Sequence, residues 1–326
     1  MRAKLFILPL LAIAMLTGCD LANPSHEDKD VYLLSVALDY EGTNLNRLEG
    51  AVNDQKAMVA QLGHLAQLEG SDFHAVAFTA RDGVYMRTES IYTASLDESV
   101  SYSAFLPNAS MKDRIRDEIA LFGKRAKLGD IFIFQYAGHG ADSSQEETKE
   151  LNGGMVVGDI YFPELGDWKD EASNLGSILR IDELLSCVAA VGCERLIILD
   201  SCYSGALMPD EGNIFALDDA LGAFKALTLK GDDGNGDLYM LSASTSGELS
   251  WEDDQHGITH GLFSAALLEA LGYNFYVEGI EGVGRPSDGL VTVSGLYQKL
   301  KDDFLWDYQS PQMNMWYTDL VLFTLR

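Results

Sequence analysis

Residues 195–205 read Arg-Leu-Ile-Ile-Leu-Asp-Ser-Cys-Tyr-Ser-Gly, and residues 130–140 read Asp-Ile-Phe-Ile-Phe-Gln-Tyr-Ala-Gly-His-Gly. Each opens as a short apolar run and breaks into small residues around one reactive side chain. Such a run, apolar without alternation, predicts a strand covered on both faces, as in a parallel sheet. Ile181–Val191 lies between them with helical spacing, so an ordinary right-handed crossover makes the two strands neighbours. Sites in open α/β sheets form outside the carboxyl ends of the strands. His139 and Cys202 are therefore expected at one end of the sheet, on adjacent strands.

The same alternation extends outward along the chain. Val31–Leu38 and Phe73–Phe78 read as buried strands, with a helix over Leu48–Leu68 between them. Gly83–Thr93 alternates and reads as an inserted hairpin. Ser110–Lys127 is an amphipathic helix that Asn108 or Ser110 can cap. Leu238–Ser242 is a fifth strand, Leu262–Leu271 and Val293–Phe304 are helices, and Leu320–Leu325 is a last strand. Strands alternating with helices imply an α/β fold, a mainly parallel sheet with helices on both faces.

A cysteine becomes a nucleophile as its thiolate, and a neighbouring histidine is the side chain suited to take its proton near neutral pH. Glycines beside each residue let the backbone approach a substrate. The backbone N–H groups of Gly140 and Cys202 are reasonable donors to an oxyanion. The competing reading is a buried thiol and a turn histidine with structural roles only.

Tyr-Ala-Gly-His-Gly (136–140) and Asp-Ser-Cys-Tyr-Ser-Gly (200–205) resemble the paired catalytic motifs of metacaspases and bacterial caspase-like peptidases. His139 and Cys202 stand 63 residues apart, close to the roughly 50 of caspases. VYLLSVALDY with LEGAVNDQKAMVAQL, HGLFSAALLEAL, and DGLVTVSGLYQKLKDDF with QSPQM resemble further segments of that family, so the likeness runs from about Val31 to Met313. It implies a caspase-like three-layer sandwich with a six-stranded sheet, and a cysteine endopeptidase acting on peptides or proteins. It also implies an acidic P1 pocket formed by Asp54 and Asp200, hence cleavage after Arg or Lys. Asp54 can alternatively be a helix N-cap, and Asp200 a strand-end carboxylate that orders the Cys202 loop. Ser242 and Ala243 fall where the family lines its substrate cleft. The loop holding Lys225 and Lys230 is one that the family often cuts in itself. No third catalytic residue stands out. Gly231–Asp237 (GDDGNGD) invites a calcium reading but lacks an EF-hand's closing Glu. It reads more simply as a solvated turn, with no cofactor or metal required and calcium at most an activator. Two other readings compete: a catalytically silent caspase-like scaffold, and a thiol hydrolase of small amides or esters.

The ends and the charge bound the setting. Arg2 and Lys4, an apolar run from Leu5 to Leu16, and Leu16-Thr17-Gly18-Cys19 describe a signal peptide. The run is well short of the roughly 20 residues that span a bilayer. Its end resembles the bacterial lipobox, which implies lipid on Cys19 and a membrane-anchored protein of the cell envelope. An ordinary secretory signal is the plainer alternative. Residues 1–18 are then the leader, 19–30 a polar tether, and 31–326 the catalytic domain. A net charge of -27 argues against nucleic acid, whose phosphates it repels. Of the four cysteines, Cys187 and Cys193 can pair or stay as thiols, and Cys202 is left over either way. The sequence leaves the oligomeric state open.

Overall fold

The computed structural model describes residues 29–43, 45–106, 110–141, 151–158, 176–207, 236–255, 257–277, 282–303, 308–314 and 319–325. The leader, Cys19, Lys225, Lys230 and residues 231–235 lie outside the described residues. No helix among the described residues is long and apolar enough to cross a membrane.

Strands β1 (Asp30–Leu38), β2 (Asp72–Arg81), β3 (Val84–Thr93), β4 (Glu98–Phe105) and β5 (Ile131–Ala137) come from the first half of the chain. Helices α1 (Ala51–Glu69) and α2 (Met111–Arg125) connect them. After β6 (Met155–Val156) and β7 (Ile178–Leu179) come α3 (Ile181–Val188), β8 (Glu194–Asp200) and β9 (Leu238–Ser242). The rest is β10 (Glu252–Gln255), β11 (Ile258–Gly261), α4 (Leu262–Ala270), β12 (Leu290–Thr292), α5 (Val293–Asp303), β13 (Gln312–Met313) and β14 (Val321–Thr324). One sheet runs in the order β13-β9-β8-β5-β1-β2-β3-β4.

Its five central strands, β9, β8, β5, β1 and β2, are parallel, as their apolar runs require. The sheet has eight strands and is mixed, which corrects the expected six. β3 and β4 extend it as antiparallel strands, and β13 closes the far edge antiparallel to β9. Asp82 and Gly83 both take positive φ, 51° and 71°, the two-residue Asp-Gly turn that joins β2 to β3. The last strand leaves the main sheet: β14 pairs with β12, because β13 already occupies the outer edge of β9.

Alternate residues of β1 enter different cores. Val31 and Leu33 pack with α1, α4 and α5, whereas Tyr32, Leu34, Val36 and Leu38 pack with α2 and α3. This is the three-layer arrangement, and it explains why the strand has no polar face. Gly70, at φ 88°, ends α1, and Ser110 Oγ caps α2 by accepting Asp113 N–H at 3.2 Å.

Candidate active site

In the register of β5 against β8, Ala137 stands opposite Asp200. Gly138 N–H donates to Asp200 C=O at 3.1 Å, so the two strands stay paired up to their motifs. Two buried tyrosines then fix the histidine backbone. Tyr40 Oη accepts His139 N–H at 2.8 Å, and Tyr136 Oη donates to His139 C=O at 2.7 Å. The hydroxyls lie 2.9 Å apart. A Cβ on Gly138 would come within 2.6 Å of both hydroxyl oxygens, so only glycine admits this clamp. The Tyr40 ring also packs against the imidazole in a tilted arrangement, with centroids 4.5 Å apart and planes at 45°.

His139 Nε2 lies 2.7 Å from the carbonyl oxygen of Asn46. A carbonyl only accepts, so the proton belongs on Nε2 and Nδ1 is left as the basic nitrogen. Burial lowers the His139 pKa, against the Asn46 carbonyl, and keeps the ring neutral near pH 7. Cys202 lies at the end of β8, where its Sγ accepts Ser250 N–H at 3.4 Å. Burial pushes this thiol up and the Asp200 charge adds to the effect, while the Ser250 N–H opposes both. The pair at rest is thus a neutral thiol and a neutral imidazole. A Cβ on Gly140 would lie 1.9 Å from Cys202 C=O, so the two backbones meet only because residue 140 is glycine.

His139 and Cys202 line one cavity of about 80 Å³ with Asp54, Asp200, Glu252 and Gly261. Asp54 and Asp200 are almost wholly buried. Asp54 Oδ2 accepts Gly261 N–H at 3.0 Å and Oδ1 lies 2.6 Å from His260 Nδ1. Burial, then the Asp200 charge, raises the Asp54 pKa well above the carboxylate range, while burial takes His260 down to about 4. Their contact is a hydrogen bond and no ion pair. Asp200 Oδ1 accepts Ser250 Oγ–H at 2.7 Å, and Oδ2 accepts Ser264 N–H at 3.0 Å in the first turn of α4. Burial nonetheless raises Asp200, as it does Glu252. A Cβ on Gly261 would lie 2.3 Å from an Asp200 oxygen and 3.1 Å from an Asp54 oxygen. Gly261 is what lets the two carboxylates share one cavity.

Asp54 is not the N-cap of α1. That position is Gly50, with no side-chain cap, and Glu252 accepts the N–H groups of Glu49 and Gly50 at 3.0 and 2.9 Å. Ser242 and Ala243 are fully buried and do not line the cavity. They sit behind the Cys202 loop, where Ser242 Oγ donates to Ser244 C=O and Ala243 C=O accepts from Gln309. Cys187 and Cys193 are free thiols. The sequence reading missed Asn46, Tyr40, Ser250, Glu252, His260 and Gly261. Asn46 acts through its backbone, which carries no side-chain signal, and His260 meets Asp54 across 206 residues.

The thiol and the imidazole thus stand at adjacent strand ends of a three-layer α/β sandwich. The Peptidase C14 family, the caspase domain, matches residues 36–278. Metacaspase-2 of Trypanosoma brucei brucei is 26% identical over 181 residues, 55% of this chain and 43% of that protein. Metacaspase-3 of the same organism is 26% identical over 179 residues, 55% of this chain and 41% of that protein. The match thus spans less than half of either relative. Among solved structures, a secreted C11 cysteine protease from Bacteroides thetaiotaomicron shares 12% identity at TM-score 0.39, covering 74% of this chain and 53% of that one. The structure of pro-sf-caspase-1 shares 12% identity at TM-score 0.42, covering 90% and 89%. The chain belongs to the caspase-domain family of cysteine peptidases, peptidase C14.

Proposed function

We propose that the chain is a cysteine endopeptidase that cleaves after Arg or Lys through Cys202 and His139. The observation that carries this reading is the shared cavity, in which the thiol and the imidazole open onto the buried carboxylates Asp54 and Asp200. Two buried carboxylates are costly when empty and favourable opposite a guanidinium or ammonium group. In the step itself, His139 Nδ1 takes the Cys202 proton and the sulfur attacks the scissile carbonyl carbon. The backbone N–H groups of Gly140 and Cys202 stabilise the oxyanion. The proton held by His139 passes to the leaving amine, and water then releases the acyl group from sulfur. No metal or cofactor enters this sequence of bonds.

The lipobox-like Leu16-Thr17-Gly18-Cys19 supports an envelope protein tethered through lipid on Cys19, meeting peptide or protein substrates there. Lys225 and Lys230 are candidates for self-cleavage, since they match the P1 preference, and calcium acts at most as an activator. The test uses fluorogenic peptides with Arg, Lys or Asp at P1, each with and without calcium, beside Cys202→Ala. Turnover of the basic peptides alone, abolished in Cys202→Ala, is the expected result. Turnover that survives Cys202→Ala, or preference for Asp at P1, would overturn it. A Lys225/Lys230 double mutant that keeps both its activity and the parent pattern of chain fragments sinks the self-cleavage reading.

A further inference from the structure

β4 is the free edge of the main sheet: among the described residues no strand pairs with its outer side. All eight of its residues are exposed, including Val100 at 58%, Tyr102 at 52% and Phe105 at 76%. Sheet edges are ordinarily blunted by charge, proline, a bulge or a cover. Residues 99–105 (SVSYSAF) hold no charge and no proline, and β3 and β4 pair residue for residue without a bulge. The opposite edge, β13, has only two residues.

The phase of the free backbone groups follows from one bond. Leu106 N–H donates to Tyr85 C=O at 2.9 Å, so Tyr85 and Leu106 are a hydrogen-bonded pair. Alternation along an antiparallel ladder then turns the groups of Ala104, Tyr102 and Val100 toward β3. Those of Ser99, Ser101, Ser103 and Phe105 point outward. The hydroxyls of Ser101 and Ser103 already continue a ladder from β3, at 3.1 Å to Ser90 and 2.8 Å to Thr88.

This edge is complementary to itself. Set two copies antiparallel about a two-fold axis through Ser101. Ser101 then faces Ser101 and Ser99 faces Ser103, so outward backbone groups meet outward backbone groups and the hydroxyl ladder continues. Val100 faces Tyr102, a β-branched residue against an aromatic one, which is a favourable cross-strand pair. Glu98, the only charge in the strand, faces Ala104. Beside it, Glu89 is already paired with Arg87 at 2.8 Å and accepts the Tyr102 hydroxyl. A chain of net charge -27 repels its copies over most of its surface. The uncharged strip is where approach costs least.

We propose that β4 is the contact through which two copies of this chain pair, joining their sheets edge to edge. The candidate active sites lie at β5 and β8, separated from this edge by β1, β2 and β3, and stay open in the pair. Ser101→Cys in a Cys202→Ala background tests the register. Paired residues of this kind have Cα atoms about 5.5 Å apart, within the roughly 4.4–6.8 Å that a disulfide spans. Mild oxidation of the full chain in detergent is expected to give a linked dimer with Ser101→Cys, and none with Leu128→Cys, an exposed position away from the edge. Ser101→Pro removes an outward N–H without touching the β3 ladder, so it should lower dimer content in sedimentation equilibrium roughly tenfold or more while keeping the parent's melting curve. Ser101→Lys, which sets two charges face to face, is the second variant should the proline disturb folding. A parent chain that is monomeric at every concentration, equal cross-linking at Leu128→Cys, or a dimer that survives both Ser101 substitutions overturns the proposal.

Discussion

At the scale of single residues, the cavity makes the thiol and the carboxylates depend on one another. Asp200 ends the strand that delivers Cys202, and its charge is one of the causes that hold the thiol up. Under the proposed function, a guanidinium docked against Asp200 would offset that charge, and a basic side chain would assist its own cleavage by easing thiolate formation. Alkylation of Cys202 by iodoacetamide should therefore accelerate only above the ordinary thiol range in the free protein. Agmatine should move that curve to lower pH. A curve that agmatine leaves in place, or shifts upward, contradicts the coupling. Asp54→Asn separates specificity from stability at the same site. The amide oxygen can still accept Gly261 N–H, while the charge that burial and Asp200 oppose is gone. The variant should melt higher at pH 8, by about 2–4 °C per kcal/mol recovered in a domain of this size. Turnover of an Arg-P1 peptide should fall about 100-fold, the equivalent of ~3 kcal/mol. Thermal melts and kcat/KM measured on one preparation check both halves.

At the scale of elements, the site depends on loops that the far end of the chain holds in place. Gln309, buried, accepts Trp251 N–H at 2.9 Å through Oε1 and donates to Ala243 C=O at 3.2 Å through Nε2. Ser310 binds Glu248 through its N–H and its hydroxyl, both at 3.0 Å. Together they anchor the segment from Thr245 to Glu252, which carries Ser250 to Cys202. Gln309→Ala leaves buried backbone groups unpaired and should cost about 2–4 kcal/mol in a urea melt. Its kcat/KM should fall further than the unfolded fraction explains; a loss matching that fraction would reduce Gln309 to a structural role. Gly261→Ala probes the β11–α4 junction, where the backbone φ of -62° suits any residue. The obstacle is the Cβ against Asp200, so the variant should fold and bind basic peptides poorly, read as a raised KM. The central elements were legible in the sequence because strands buried on both faces leave unbroken apolar runs. His139 and Cys202 were legible because glycines flank them at strand ends. β4 was not, since a strand exposed along its whole length has no burial period to detect. The separate pairing of β14 was also hidden, because an apolar run does not name its partner. The contacts of Glu252, His260 and Gln309 span 202, 206 and 58 residues and exist only once the sheet has formed.

At the scale of the whole molecule, pH should act on stability through two opposed sets of groups. Asp54, Asp130, Glu194, Asp200 and Glu252 all have raised pKa values in the folded chain, burial being the first cause for each. A raised carboxyl contributes stability that is full below the unfolded value, about 4, and is lost as pH rises through the folded one. Acidification from pH 8 therefore favours the fold, and it also relieves the self-repulsion of a net charge of -27. His64, His139 and His260 act in the other direction. Burial lowers each of them, so below about pH 6.5 the unfolded chain binds protons that the folded chain refuses. The histidine contribution is flat between pH 8 and about 7, and of the carboxyls Asp54, the one raised well above the usual range, is the group expected to act there. The melting temperature should consequently rise on moving from pH 8 to about 6.5, pass a maximum between roughly 5 and 6.5, and fall on further acidification. Salt separates the two causes on the alkaline side. At pH 8, raising ionic strength from about 0.01 to 0.5 M shortens the Debye length from ~30 Å to under 10 Å and should raise the melting temperature by screening repulsion. It should leave the buried carboxyls largely untouched, so a residual rise on acidification must persist at high salt. Melting curves across pH at both ionic strengths decide the matter. If high salt flattens the profile completely, the carboxyls around the cavity contribute nothing to it; if stability climbs steadily from pH 6 to 8, the sign assigned to them is wrong.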